Sequence, residues 1–215
     1  MRRPVILGVL AAVIVPLGAA LAVLALAADG PKEMAEAPDV LIVQAGGTPF
    51  EGVDHITPAN VDAVSCPTPV ARNCRTVADA VAEALRTRQV RVKVLEAGQF
   101  KDRREVAAAR MVVLASPAFF GNPSWRMFKF VDEVVWQFFA LGGKRLDGKP
   151  FAALAIGHGE PGCASAIASM QRMVKSANGT AGPTVFVLAE HSDDEVRKRV
   201  ARFAEDLVAA MKETR

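Results

Sequence analysis

Short, wholly apolar runs alternate along the chain with segments in which apolar residues recur at helical spacing. Val40–Val43, Met111–Ala115 and Phe151–Ile156 are apolar throughout, as expected for strands buried on both faces of a sheet. Val90–Leu95 alternates apolar and basic residues, which is typical of an edge strand with one wet face. A further apolar run at Val185–Leu188 brings the number of predicted strands to five.

The segments between these runs predict helices. Apolar positions at helical spacing indicate helices over Arg75–Arg88, Asp102–Ala109 and Ala164–Ala177. Another is expected to start at Asn122, with Pro123 in its first turn. Its predicted buried stripe is Phe128, Val131, Val135 and Phe138. The last helix is expected to begin with a capping box, Ser192 to Glu195.

Five strand–helix units of this kind predict an α/β fold over residues 39–215. The expected architecture is a five-stranded parallel sheet with helices on both faces, a three-layer sandwich. Ligands of such sheets bind beyond the carboxyl ends of the strands, at the point where the strand order reverses. The loops after strands one, three and four are therefore the candidate site.

The N-terminus carries a separate signal. Residues 4–28 contain no charged side chain and follow Arg2 and Arg3, so residues 1–28 predict a membrane anchor with its N-terminus in the cytoplasm. A cleaved signal peptide ending near Ala27, or a misassigned start codon, are the alternatives. Residues 29–38 are polar, contain two prolines and form the expected linker. Either form of translocation places the domain outside the cytoplasm, membrane-anchored, secreted or periplasmic.

Composition and charge limit the classes of function that the sequence supports. Of the 215 residues, 51% are hydrophobic and 23% charged, which is typical of a globular protein. The net charge is only +3 and no cluster of basic and aromatic residues occurs, which argues against nucleic acid as a partner. His55, His158 and His191 lie far apart in the sequence, and no Cys/His spacing indicates a metal site.

Several segments resemble one known family. Ser116-Pro117-Ala118-Phe119-Phe120-Gly121-Asn122, with Met127, Phe128 and Phe130-Val131-Asp132 beyond it, resembles the flavin loop and following helix of the flavodoxin-like FMN oxidoreductases. Gly157–Gly162 is similar to the second flavin loop of that family, and Arg75–Ala82 to the start of its first helix. The most similar subgroup is the NAD(P)H-dependent quinone reductases of the tryptophan-repressor-binding-protein type, followed by the NADPH-dependent FMN reductases. The similarity extends over about residues 39–213.

This resemblance implies a flavodoxin-like fold and an FMN site. The expected cofactor-binding residues lie in the three loops: Ser116, Pro117, Ala118, Phe119, Phe120, Gly121, Asn122, Gly157, His158, Gly159, Gly162, Arg72, Asn73 and Thr76. Glycines let the backbone approach the flavin ring closely, and Phe119 or Phe120 could stack on it. His158 is the one candidate catalytic residue, as a donor to the flavin or to a quinone, unless it is an ordinary loop histidine.

The loop after the first strand departs from the family pattern. It extends over residues 46–73, whereas loops between strands and helices in such folds usually have about 2–6 residues. Cys74 falls near the position of a phosphate-binding hydroxyl, and Arg72 where the family has glycine. The loop is a lid, a partner site or a remnant of a phosphate site.

The cysteines leave two alternatives open. Cys66 and Cys74 are separated by seven residues and could form a disulfide outside the cytoplasm; two free thiols are the alternative. Cys163, at the start of a helix, is expected to be a small buried residue or a redox-reactive thiol.

Two functions follow from these observations. The first is an FMN-dependent oxidoreductase that takes electrons from NAD(P)H or a membrane donor and reduces a quinone or similar acceptor; the family resemblance adds a homo-oligomer as an expectation. The second is a flavodoxin-fold binding or assembly module that has lost FMN and contacts a partner through loop 46–73.

Overall fold

A parallel sheet with helices on both faces organises the chain. The computed structural model describes residues 37–46, 74–100, 103–136, 146 and 148–213, and the statements below concern these residues. The strands are β1 (Val40–Gln44), β2 (Val92–Glu96), β3 (Met111–Phe119), β4 (Asn122–Pro123), β5 (Pro150–Gly157) and β6 (Thr180–Leu188). The five long strands are parallel and lie in the order β2-β1-β3-β5-β6, so the order reverses between β1 and β3.

Five helices cover the sheet. They are α1 (Cys74–Arg86), α2 (Arg103–Ala108), α3 (Trp125–Phe130), α4 (Glu160–Ser176) and α5 (Asp193–Glu213). A single 3-10 turn covers Ala97–Gln99, and α3 continues into a π-helical stretch, Val131–Val135. The predicted edge strand and the predicted capping box are both confirmed: β2 lies at one edge of the sheet, and the N–H of Ser192 donates to Glu195 at 2.7 Å.

Alternate residues of the buried strands face opposite layers. Val40 and Ile42 join one apolar cluster, which contains the inner faces of α1 and α5. Leu41 and Val43 join the other, which contains residues of α2, α3 and α4. An unbroken apolar run is therefore required, because each face of β1 is covered by helices. The predicted three-layer α/β architecture is confirmed.

The segment after β3 differs from the prediction. Asn122 and Pro123 do not begin a helix; they form β4, which pairs antiparallel with Ala118 and Phe119. Helix α3 begins at Trp125, with Ser124 as its N-cap. This shift turns Met127 and Phe130 inward and leaves Phe128 exposed, so the predicted inclusion of Phe128 in the buried stripe is wrong. Val131 and Val135 are buried as predicted, and Phe138 lies outside the described residues.

The N-terminal prediction lies outside the described residues. Within the described part of the chain, no helix is both long and apolar enough to span a bilayer. The anchor or signal at residues 1–28 and the linker at residues 29–38 stay predictions, although the last two linker residues, Ala37 and Pro38, are described.

Candidate functional site

The carboxyl ends of β1, β3 and β5 lie side by side at one edge of the sheet, beside the reversal in strand order. Parallel pairing brings Gln44 of β1 level with Ala115 of β3, and Pro117 of β3 level with Ile156 of β5. The loops that follow these strands therefore all begin at this edge. The fourth predicted strand is β5, because the short β4 was not predicted. Of the three predicted site loops, those after β3 and β5 are described, and the one after β1 is described only through Gly46.

At the end of β1, a polar side chain is buried. Gln44 is 3% exposed, and its Oε1 is buried without a hydrogen-bond partner among the described residues. Gly46 follows with a φ of 35°, and a Cβ at that position would lie 2.9 Å from this oxygen. A buried amide oxygen without a donor is energetically costly, by about 1–3 kcal/mol. The edge of the sheet thus contains an acceptor that a ligand could satisfy.

The N-terminus of α1 adjoins the same strand end. Cys74 is a buried, free thiol whose Sγ faces the backbone amides of Ala45 and Gly46. Burial is the main influence and raises the pKa of this thiol to about 12, although the two amides act in the opposite direction. Cys66 lies outside the described residues, as do Arg72 and Asn73, so the Cys66–Cys74 disulfide and its alternative of two free thiols both stay predictions. Thr76 is exposed on the first turn of α1.

The end of β3 is a tight hairpin rather than an open loop. Its strand extends through Phe119, so Ser116–Phe119 belong to the sheet, and Phe120 and Gly121 form the turn into β4. Both turn residues have positive φ, 48° for Phe120 and 78° for Gly121. Phe120 consequently projects fully into solvent, while Phe119 is partly buried.

Ser116 does not point toward an open site. It is fully buried, and its Oγ accepts a hydrogen bond from the N–H of Ser124 at 2.9 Å and donates to the carbonyl of Pro117 at 3.0 Å. Ser124 in turn accepts from the N–H of Met127 as the cap of α3. Asn122 is exposed, and its side-chain amide lies 3.4 Å from the Phe120 carbonyl. Ser116 and Asn122 therefore shape the hairpin.

The loop after β5 packs directly on this hairpin. A Cβ on Gly157 would lie 3.2 Å from the Cβ of Ala118 and 3.3 Å from Sγ of Cys163. A Cβ on Gly121 would lie 3.2 Å from Oγ of Ser165, in α4. Glycine at positions 157 and 121 is thus what lets the two predicted flavin loops come together.

Beyond Gly157 the backbone lies open. His158 is exposed, and Gly159 has a φ of 75°. Cβ atoms on Gly159 or Gly162 would meet nothing within 4 Å. The backbone at Gly159 and Gly162 therefore has room for a flat ligand, and His158 could donate a hydrogen bond to it.

Behind the loop, Cys163 is buried in the first turn of α4. Burial, and secondarily the charge of Glu190, raises the pKa of its thiol to about 11. It is a small core residue, which confirms the first of the two expectations for it.

Two polar residues near this edge were missed from the sequence. One is Gln44; the other is His191, which follows β6 and whose Nδ1 accepts a hydrogen bond from the N–H of Leu188 at 3.1 Å. Each is a polar residue at or just beyond the end of an apolar run. That position at a predicted strand end is the feature of the sequence that could have identified them.

Solved structures share this architecture. A flavodoxin from Streptococcus pneumoniae TIGR4 is 20% identical, with a TM-score of 0.56 over 80% of this chain and 98% of that one. A flavodoxin from the domain Archaea is 16% identical, with a TM-score of 0.58 over 80% and 98%. The flavodoxin, WrbA-like protein from Agrobacterium tumefaciens is 15% identical, with a TM-score of 0.55 over 83% and 100%.

The chain therefore has a flavodoxin-like α/β fold. No protein-family model matches its sequence, and no curated protein matches it either.

Proposed function

We propose that this protein binds FMN at the carboxyl edge of its sheet and acts as an oxidoreductase. The observation that carries the proposal is the packing of the β3 hairpin on the β5 loop, where Gly157 lies against Ala118. In a flavodoxin-like fold these two loops are the ones that resemble flavin loops in sequence. The backbone at Gly159 is open, and Phe120, in the turn of the β3 hairpin, is fully exposed.

The residues present suit a flavin in three respects. Phe120 offers an uncovered aromatic face for stacking on a flat ring. Gln44 Oε1 is a buried acceptor that no described residue donates to, and a ribityl hydroxyl is a suitable donor. The backbone around Gly159 and Gly162 has no side chain in the way of a ligand.

A bound flavin would supply two-electron redox chemistry, and the protein would hold and orient it. Its electrons would come from NAD(P)H or a membrane donor and go to a quinone or a similar acceptor. His158 would donate a hydrogen bond to the ring or to the quinone. If residues 1–28 anchor the domain in a membrane, a lipid-soluble quinone acceptor lies within reach.

A visible absorption spectrum of the purified full chain, titrated with FMN and freed of unbound ligand, tests this proposal. Protein-bound flavin bands are expected. Gly159→Leu should weaken FMN binding at least about tenfold, because its side chain would fill the open backbone surface. Gly148→Leu is the matched control: Gly148 also has positive φ, 70°, and open space around it, but it precedes β5 at the opposite edge of the sheet.

Phe120 gives a second test. Phe120→Ala should weaken FMN binding about five- to tenfold, because ring stacking contributes about 1 kcal/mol. Phe120→Trp should restore it. A folded chain that takes up no FMN would refute the proposal.

One observation favours the second candidate function, a binding or assembly module without FMN. The amides of Ala45 and Gly46, at the start of the phosphate loop implied by the resemblance, face the buried Cys74 thiol. Under this alternative the chain stays colourless with FMN, and deletion of residues 52–66 abolishes binding of its partner while the fold is retained.

A further inference from the structure

A pocket of about 410 Å³ lies beyond the carboxyl end of β2, beside the candidate flavin site. Glu96, the last residue of β2, lines this pocket and is level with Gln44 in the parallel pairing of β2 with β1. Because neighbouring strands are about 4.8 Å apart, the pocket begins one strand away from Gln44. In the strand order β2-β1-β3-β5-β6, His158 follows β5. The pocket and His158 therefore lie on opposite sides of the carboxyl ends of β1 and β3.

The first turn of α3 forms another wall of the pocket. Trp125 and Arg126 line it and come directly after Ser124. The N–H of Ser124 donates to Oγ of Ser116 at the end of β3. This wall is thus held in place by the same hydrogen bond that shapes the β3–β4 hairpin, so the pocket and the candidate flavin loops share one support.

Aromatic rings give the pocket flat apolar surfaces. Trp125 is 60% exposed, and Phe100 and Phe130 also line the pocket, in an edge-to-face arrangement with ring centroids 5.1 Å apart. Gly98, in the turn after β2, has open space where a Cβ would be. The volume lies within the range of roughly 300–1,000 Å³ that is typical of small-molecule sites. The pocket therefore suits a flat ring.

The charged side chains of the pocket are paired with one another. Arg126 contacts Glu96 at 3.4 Å, with both side chains largely buried, and Lys129 contacts Glu133 at 3.8 Å at the surface. Among the described residues, the lining thus carries two cations and two carboxylates, and its net charge is zero. Phosphate recognition relies on the positive charge of Arg and Lys, which the carboxylates here offset. A neutral ligand is favoured over one that carries phosphates.

We propose that this pocket binds the ring of the quinone acceptor and excludes a phosphate-bearing dinucleotide. The inference rests on the proposed function, in which a quinone accepts the electrons. A quinone ring is flat and neutral and has two carbonyl oxygens. Trp125 stacks on its face, and the guanidinium of Arg126, which has five N–H donors, donates to a carbonyl. His158, on the other side of the site, is left to the flavin ring.

The two tryptophans of the chain allow a direct test, since the chain contains no tyrosine. Trp125 lines the pocket, whereas Trp136 lines a separate groove between α3 and α4. Tryptophan fluorescence of a Trp136→Phe chain therefore reports on the pocket, and a Trp125→Phe chain is the matched control. The full chain, freed of flavin and held in a non-ionic detergent, would be titrated with duroquinone, whose fully substituted ring cannot alkylate thiols. We expect saturable quenching of Trp125 and only linear, collisional quenching of Trp136.

A second variant tests the hydrogen bond to the quinone. In the Trp136→Phe background, Arg126→Met should raise the duroquinone dissociation constant at least about fivefold, because a charged donor is lost. Arg88→Met is the control: Arg88 also pairs with a glutamate, Glu205 at 3.0 Å, but it lies in the turn before β2, at the opposite edge of the sheet. That variant should bind duroquinone normally. Circular dichroism of each variant separates loss of binding from loss of fold.

Competition tests the exclusion of dinucleotides. An excess of NADP⁺, which carries the phosphates and does not absorb tryptophan emission, should leave the quenching of Trp125 unchanged. Displacement of duroquinone by NADP⁺ would overturn the proposal. Saturable quenching of Trp136, purely collisional quenching of Trp125, or normal binding by Arg126→Met would overturn it as well.

The outcome for this pocket is separate from the outcome for FMN, because the fluorescence titration needs no flavin. A chain that takes up FMN but shows no saturable quenching of Trp125 would refute the quinone pocket and leave the proposed function standing. A chain that binds duroquinone at Trp125 but takes up no FMN would refute the proposed function and support the pocket as a site for a neutral ring.

Discussion

The Oγ of Ser116 accepts a hydrogen bond from the backbone N–H of Ser124 at 2.9 Å, and both residues are buried. This bond connects the end of β3 to the N-cap of α3 across the hairpin turn. The bond fixes the turn that exposes Phe120 to solvent. Ser116, which the sequence predicts as a cofactor contact, therefore has a structural role. Ser116 supports the candidate site indirectly.

Loss of this bond should destabilise the fold. Ser116→Ala leaves the buried Ser124 amide without an acceptor, and we expect the free energy of unfolding to fall by about 1–3 kcal/mol in urea denaturation. Ser176→Ala is the control, since Ser176 is exposed and bonds only the carbonyl of Arg172 within its own helix; it should change stability by less than about 0.5 kcal/mol. Equal effects of the two variants would contradict the role given to Ser116.

At the opposite edge of the sheet, Asp39 should make stability depend on acid pH. Its hydrogen bonds with Arg91, at 3.1 and 3.3 Å, and the nearby Arg110 hold the pKa of this carboxyl below its usual value of 3.8. A depressed folded-state pKa contributes stability that is complete above the unfolded-state pKa and is lost as pH falls through the folded-state value.

Asp39→Asn should therefore be less stable than wild type by about 1 kcal/mol at pH 7, a value discounted because both arginines are partly exposed. The difference should shrink as pH falls below about 4. Urea denaturation from pH 7 to 3 measures it. Asp79→Asn, which alters an exposed pair with Arg75 at 3.9 Å, should show almost no difference at either pH.

The two described thiols should be unreactive in the folded protein. Burial raises the pKa of Cys74 to about 12 and that of Cys163 to about 11, and the thiolate is the reactive form. In a Cys66→Ser chain at pH 8, Ellman's reagent should give no colour before unfolding and two equivalents after it. Rapid reaction of either thiol in the folded state would contradict this expectation.

Peptide mapping of the wild-type chain under non-reducing conditions tests the predicted disulfide. A peptide in which Cys66 is linked to Cys74 would show that the pair forms, and Cys74 would then have to leave its buried position beside Ala45 and Gly46. A free thiol at Cys74 would agree with the structure.

The contact between the two candidate flavin loops gives a further prediction. Gly157→Ala would place a methyl group 3.2 Å from Ala118 and 3.3 Å from Cys163, so we expect a loss of about 1–3 kcal/mol in stability from overpacking. Gly162→Ala, with open space around it, is the matched control and should not destabilise the protein. Comparable losses in both variants would mean that the loops do not meet as described.

The sequence by itself determined the layers of the fold. Apolar runs such as Val40–Val43 are fully buried, and alternation in Val92–Glu96 marks an edge strand, because burial on one or two faces imposes a local pattern on each strand. The Ser192–Glu195 capping box was equally readable, since both of its hydrogen bonds lie within four residues.

Only the tertiary structure decided the details of the site. Asn122-Pro123 is a good helix start by local rules, yet pairing with Ala118 and Phe119 makes it a strand and moves the cap to Ser124. Likewise, the hydrogen bond between Ser116 and Ser124 forms only once the β3 hairpin is in place, and Gln44 is buried only once β1 is packed in the sheet. Local propensity differs between such alternatives by about 1 kcal/mol per residue, whereas strand pairing and burial involve several residues at once and therefore decide the outcome.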